Sequence, residues 1–289
     1  MQRSYEDDYE RRKSFLLTDT VKHWPGLVHV PIKAAKERQK QSFIDEWFST
    51  LQMLRNIGSM VASDRNRPSW IPDTVPSGAQ TDQFLHAYYY NLVIEKGRSL
   101  YAEKFEANKV NPARALNDAI KWWHALSSPP SNEDRTLLQW APLLREFLAQ
   151  ERILSLSESE FEGICQRVWS IQDHGRRVSN VTLNLPAGQH YDMATKTREL
   201  ARFLYSRRSQ NGSSVLEVIS HVLYGGTDDA LPQRLWEATA DDRWRIEHLG
   251  ISALGELVGW ALPDKFPPRN NRTSKALYAL GNPVTVHGD

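Results

Sequence analysis

The sequence predicts a mostly α-helical protein, on two observations. Large apolar residues recur at steps of three and four through most of the chain, and alternating strand patterns are almost absent. A third observation, that 40% of the residues are hydrophobic with ten Trp, ten Tyr and nine Phe, supplies the side chains for a packed core. At about 150 residues per domain, 289 residues make one large domain or two ordinary ones.

Residues 1–34 carry no long periodic pattern and read as an N-terminal arm lying across the surface, with one short strand at Val28-His29-Val30. From Ala34 to Ala62, Phe43, Trp47, Leu51, Leu54, Ile57 and Val61 share one stripe of a long helix. Pro68, Pro72 and Pro76 impose a loop. Thr81 to Phe105 is expected to be the next helix. Asn111 then caps a helix opened by Pro112, whose missing N–H costs nothing at a first helical position. Asn132 opens a further helix, and Ser157 with Glu160 forms a capping box for one running to about Ile171. The polar stretch Asp173–Gln189 divides a lobe at 35–172 from a second at 173–289. Helices are expected beyond it at about 192–208, 213–224, 232–240, 252–262 and 273–280.

Composition narrows the function. The 36 Lys and Arg against 35 Asp and Glu give a net charge of +1, which excludes a uniformly basic coat protein and an acidic tail protein but not a local basic face. The single Cys165 forms no internal disulfide and reads as an inert buried thiol. No apolar leader follows Met1, and no run reaches the roughly 18 apolar residues of a membrane span. A cytoplasmic, reduced protein with no membrane partner is the expectation. Phosphate-binding GxxxxGK[ST] loops, GxGxxG turns, HExxH helices and GxSxG elbows are all missing, and no ligand-spaced cluster calls for a metal or organic cofactor.

The segment Ile246–Leu277 carries the chemistry. It reads as a helix end, a tight turn at Leu249-Gly250-Ile251-Ser252, a second helix, the Pro-rich passage Pro263–Asn271, and a third helix start. Gly250 is expected to permit a left-handed turn and Ser252 to cap the next helix, whose free N–H groups suit a phosphate. Lys265, Arg269, Arg272 and Lys275 follow with no acid among them; either they contact phosphates or they line a solvated face.

These residues resemble the helix–hairpin–helix DNA glycosylase superfamily, over about a seventh of the chain. Leu249–Ser252 stands at the hairpin, Ser252 replacing its second Gly, Pro267-Pro268 stands in the following loop, and Asn270-Asn271 stands where the catalytic Asp would be. Leu254 lies near the position of the Schiff-base Lys of bifunctional members. The resemblance therefore implies a two-lobed helical fold around a monofunctional N-glycosidic hydrolase that flips a base out of double-stranded DNA and leaves an abasic site. Gly250 and Ser252 would hold phosphates, and Asn270 and Asn271 would sit beside the sugar.

An amide brings no charge to an oxocarbenium-like sugar, so a carboxylate must come from elsewhere. Asp264, the pair Asp228-Asp229 and Asp173 are the candidates, with Asp173 and Asp264 the two carried forward. Asp173 stands with His174, Arg176 and Arg177, where His174 could line the base pocket and transfer protons and the arginines contact DNA, unless the stretch is a plain linker. Trp122-Trp123 and Tyr88-Tyr89-Tyr90 cannot all face inward from one helix, so some of these rings are expected to line a base pocket. Within its class the chain resembles prokaryotic phage-defence glycosylases that remove glucosylated hydroxymethylcytosine. The alternative reading is a non-catalytic DNA-recognition module of a restriction or defence system.

Overall fold

A computed structural model describes residues 29–286, with side chains from residue 37 onward. The expected N-terminal arm lies outside the described residues as far as Val28. His29–Ala34, expected in that arm, already belong to the first helix, α1 (His29–Val61). Among the described residues, 46–286 form one compact unit, and 29–45 belong to a separate one.

Most expected helices are present, because their local signals are complete. Trp47, Leu51, Leu54, Ile57 and Val61 are buried along α1. Asn111 accepts the Arg114 N–H and Pro112 opens α4 (Pro112–His124). Ser157 and Glu160 exchange side-chain and backbone bonds at the start of α7 (Glu158–Cys165). A second such box, Ser214 with Glu217, starts α10 (Val215–Tyr224). Asp192 caps α9 (Met193–Ser206).

Two continuous helices expected from the pattern are broken. Thr81–Phe105 divides into α2 (Ser77–Tyr88), a wide turn at Tyr89–Val93, a hairpin of β1 (Ile94–Glu95) with β2 (Arg98–Ser99), and α3 (Tyr101–Asn108). The two turn residues, Lys96 and Gly97, both take positive φ, which is what a two-residue hairpin requires. The helix from Ser157 stops at Cys165. Val168 is extended, and α8 (Trp169–Arg177) starts afresh. The 172/173 division therefore falls inside α8.

A short helix α5 (Glu133–Arg135) runs through a wide turn into α6 (Ala141–Phe147), and α11 (Leu231–Ala240) follows α10. At the centre lies α12 (Ile251–Ala261), which is buried from Ala253 to Ala261 and packs against α2, α6, α8, α10 and α11. Gly255 and Gly259 open a groove along it. A Cβ at Gly259 would lie 2.1 Å from Pro268, and one at Gly255 would lie 2.5 Å from the Arg269 carbonyl. The passage Phe266–Asn270 drops into that groove, where the Arg269 N–H donates to the Gly255 carbonyl at 3.2 Å. Thus buried, the passage leads into α13 (Asn271–Ala279), packed on α2 and α3.

Among the described residues, no helix is long and apolar enough to cross a membrane. Cys165 is free and buried, and burial pushes its thiol pKa up, which keeps it protonated.

Candidate functional site

Two polar assemblies surround α12, one sealed and one at the surface. The sealed one is centred on Glu256. Its carboxylate accepts the Trp169 and Ser170 N–H groups at 2.9 Å each and the Asn270 side-chain amide at 3.0 Å. A carboxylate about one and a half turns into α12 therefore caps the N-terminus of α8 directly. Asn270, in turn, accepts the Thr273 N–H at 3.0 Å and caps α13. Arg272 lies beneath the Trp169 ring and 3.4 Å from Asp82, both side chains being buried. Burial raises the Asp82 carboxyl to a pKa of about 6; Arg272 opposes the shift and Glu256 adds to it.

Next to that pair, the His86 Nε2 lies 3.6 Å from the fully buried Glu133 carboxylate. Burial first, and the Arg272 charge second, hold the His86 pKa down at about 2. Burial raises that of Glu133.

This assembly corrects part of the sequence reading. Asn270 is 4% exposed and occupied as a cap, so it does not sit beside a sugar at the surface. Arg269 is buried and joined to Glu46 at 2.6 Å, with its guanidinium 4.4 Å above Trp47. Arg272 is held by Asp82. Neither arginine forms part of a phosphate-facing stripe. Lys265 pairs with Asp228 at 2.9 Å, and Lys275 lies 5.6 Å above the Tyr101 ring. The apparent basic run is a set of partnered side chains. Trp123 is wholly buried against Trp70 and Phe84, which leaves no ring face open at the surface, while Trp122 is half-buried beside it. Asn271 is half-buried at the first position of α13. Asp264 pairs with Arg145 beyond the C-terminus of α12. It therefore stands a helix length, about 16 Å for eleven residues, from the turn at Gly250.

The surface assembly joins two segments that the sequence marked separately. His174 Nε2 and His248 Nδ1 lie 3.0 Å apart, which ties the outer face of α8 to the bend before α12. In that bend the left-handed residue is His248, with φ 67, and Gly250 is extended at φ −92. Gly250, not Ser252, occupies the cap position. It has no side chain to accept a hydrogen bond, it is exposed, and a Cβ added there would meet nothing within 4 Å. The first N–H groups of α12 are thus left without a side-chain cap.

Phe203 of α9 packs edge-on to His248 at 5.4 Å and carries the Arg207 guanidinium 4.2 Å above its ring. On α8, Asp173 receives Arg176 and Arg177 at 2.8 Å each. The Lys196 ammonium donates to the Val178 carbonyl and, at 3.2 Å, to that of Arg176, so this cation closes the end of α8. Tyr90 and Trp169, both half-buried, meet edge to face at 6.2 Å. The Tyr90 pKa is raised by burial, with Asp173 adding and Arg272 and Arg176 opposing, which places the ring within the field of the α8 charges.

Comparison of the chain with protein-family models, characterised proteins and solved structures finds no match. The site is therefore read from its own atoms. Asp173, His174, Arg176 and Arg177 are brought to the Gly250 bend; Asp264, Asn270, Arg269, Arg272 and Trp123 are not. Phe203, Arg207 and His248 join them without a sequence signal of their own, while Tyr90, one of three consecutive tyrosines, stands by the α8 charges and meets Trp169 at the start of that helix. Among the described residues no three His, Cys, Asp or Glu side chains gather as metal ligands.

Proposed function

We propose that this chain is a DNA-binding N-glycosidic hydrolase whose working surface is the bend at Glu247–Ser252 together with the outer face of α8. The observation that carries the reading is the 3.0 Å contact between His174 and His248, which unites an anion-suited helix start with a carboxylate-bearing helix face. The N–H groups of Ile251, Ser252 and Ala253 would receive a phosphate, aided by Arg176, Arg177 and Arg207. The Asp173 carboxylate would stabilise positive charge on the sugar as the base departs, and His174 would move a proton to or from the attacking water or the base. Tyr90 and Trp169 replace Trp122 and Trp123 as the rings proposed to stack on a flipped base. Likeness to phage-defence glycosylases makes a sugar-bearing cytosine the substrate to try first, and action on DNA by a protein with one buried thiol fits the cytoplasm.

One observation favours the second reading, a recognition module without catalysis. Asp173 is already neutralised by two arginines, which weakens its pull on a developing cation. Duplex DNA with ordinary or glucosylated hydroxymethylcytosine, incubated with the protein and then treated with alkali, separates the two. Breakage in the modified duplex supports the hydrolase. Binding without breakage supports the module, and failure to bind either duplex overturns both.

A further inference from the structure

The His174–His248 contact has a property that neither ring has alone. A hydrogen bond between two imidazoles needs one bare nitrogen, so the pair can form it with no extra proton or with one, but not with two. In the doubly protonated state two N–H groups face each other, and two cations stand with ring centres 5.1 Å apart. We infer that the His174–His248 pair is a proton-operated latch: it holds the bend before α12 against α8 while it carries at most one added proton, and releases it on taking the second.

Three features of the surroundings support this reading. The contact is a side-chain hydrogen bond that joins the bend directly to α8, so its loss is felt at one hinge-like segment. That segment is under load, since His248 holds a left-handed conformation that a side chain with a Cβ adopts at a cost. The charged groups facing the pair are nearly balanced: Asp173 and Arg177 from α8, with Arg176 bound to the same Asp173; Arg207 from α9, above the Phe203 ring that touches His248; and Glu247 in the bend, 3.7 Å from His248 Nε2. Two carboxylates flank the pair and favour the first proton, whereas the arginines and the first cation oppose the second. In keeping with that order, burial first, and then His248 and Arg177, hold the His174 pKa below the usual imidazole value, with Asp173 opposing.

The inference rests on the proposed function only for its consequence. If the bend grips a nucleic-acid strand, its release in acid would weaken that grip. The latch itself is tested on the free full-length protein. Imidazole resonances are followed from about pH 8 to about pH 5, the span over which histidine ordinarily changes charge. Amide exchange at Leu249 and Leu254 is recorded at the same points and corrected for intrinsic rates. The expected result is a two-step titration of the pair, separated by more than about one pH unit. Exchange in the bend should rise at least about tenfold with the second step. In His174→Gln and in His248→Gln the remaining ring should titrate in one step and the extra exchange should vanish. Two independent, coincident titrations, or an acid-induced rise that is the same in wild type and both variants, would overturn the latch. Duplex DNA affinity measured across the same pH range forms a separate arm: a bend that opens on schedule in a protein that binds no DNA keeps the latch and removes the proposed function.

Discussion

The Asn270 side-chain amide donates to the Glu256 carboxylate at 3.0 Å, and this bond ties the start of α13 to the middle of α12. Asn270 caps α13, Glu256 lies within α12 and accepts the first N–H groups of α8, and both the Asn270 and Glu256 side chains are buried. Glu256→Gln replaces one acceptor oxygen by an NH₂ that must face a donor. We expect a loss of about 3 kcal/mol, the scale of a charge-assisted buried hydrogen bond left unsatisfied. Denaturant unfolding checks it, and an unchanged midpoint would show that Glu256 is not the cap of α8.

The Arg272–Asp82 pair gives a second test. Removing one partner strands a buried charge, so Arg272→Met should cost about 3–5 kcal/mol. The double variant Arg272→Met with Asp82→Leu removes both charges and should recover more than half of that loss. A double variant no more stable than the single one would mean that the ion pair itself, and not the stranded charge, dominates.

These buried groups also set how stability follows pH. His86 has its pKa lowered from 6.5 to about 2, so below pH 6.5 the unfolded chain takes a proton that the folded one refuses, and stability falls. Asp82 has its pKa raised from 3.8 to about 6, so between those values the folded chain holds a proton that the unfolded one releases, and stability rises as pH falls. The two oppose each other over that window. In His86→Gln the opposing His86 contribution is gone, and acidification through pH 6 should weaken the variant less than it weakens the wild type. Chemical denaturation at a series of pH values reads this directly; a variant that weakens in acid as the wild type does would refute the assignment.

Contact with the DNA backbone should follow exposure rather than charge. Arg177→Ala should reduce the salt slope of duplex binding by about 1, the contribution of one phosphate contact. Arg269→Ala should lower thermal stability and leave that slope unchanged, because Arg269 is spent on Glu46. The opposite pattern would place the nucleic acid against the Pro-rich passage instead of the bend.

What was legible in the sequence follows from how local each signal is. Asn111, Ser157 and the apolar stripe of α1 act within one or two turns of chain, and the helices they mark are present. The hairpin at Lys96-Gly97 and the restart at Trp169 were hidden because apolar spacing continues through both breaks. The site was harder for a physical reason. Arg272 and Lys275 look alike three positions apart, and only a partner 190 positions away decides that Arg272 is buried. Asp173 and His174 could be singled out by their polar company, but nothing local reveals that His248 lies beside them. Glu256 carried a faint signal, one acid in the apolar run Leu254–Val258, where a charge survives only if fully partnered.

The central claim is that the bend and α8 form one base-excising site whose carboxylate is Asp173. Single-turnover excision from a glucosylated hydroxymethylcytosine duplex tests it most directly, with wild type, Asp173→Asn and Asp264→Asn side by side. The account predicts a loss of about 100-fold or more in Asp173→Asn, the scale of removing one transition-state electrostatic contact, and a rate within about twofold of wild type in Asp264→Asn. Equal rates in all three proteins, or a loss confined to Asp264→Asn, would contradict it.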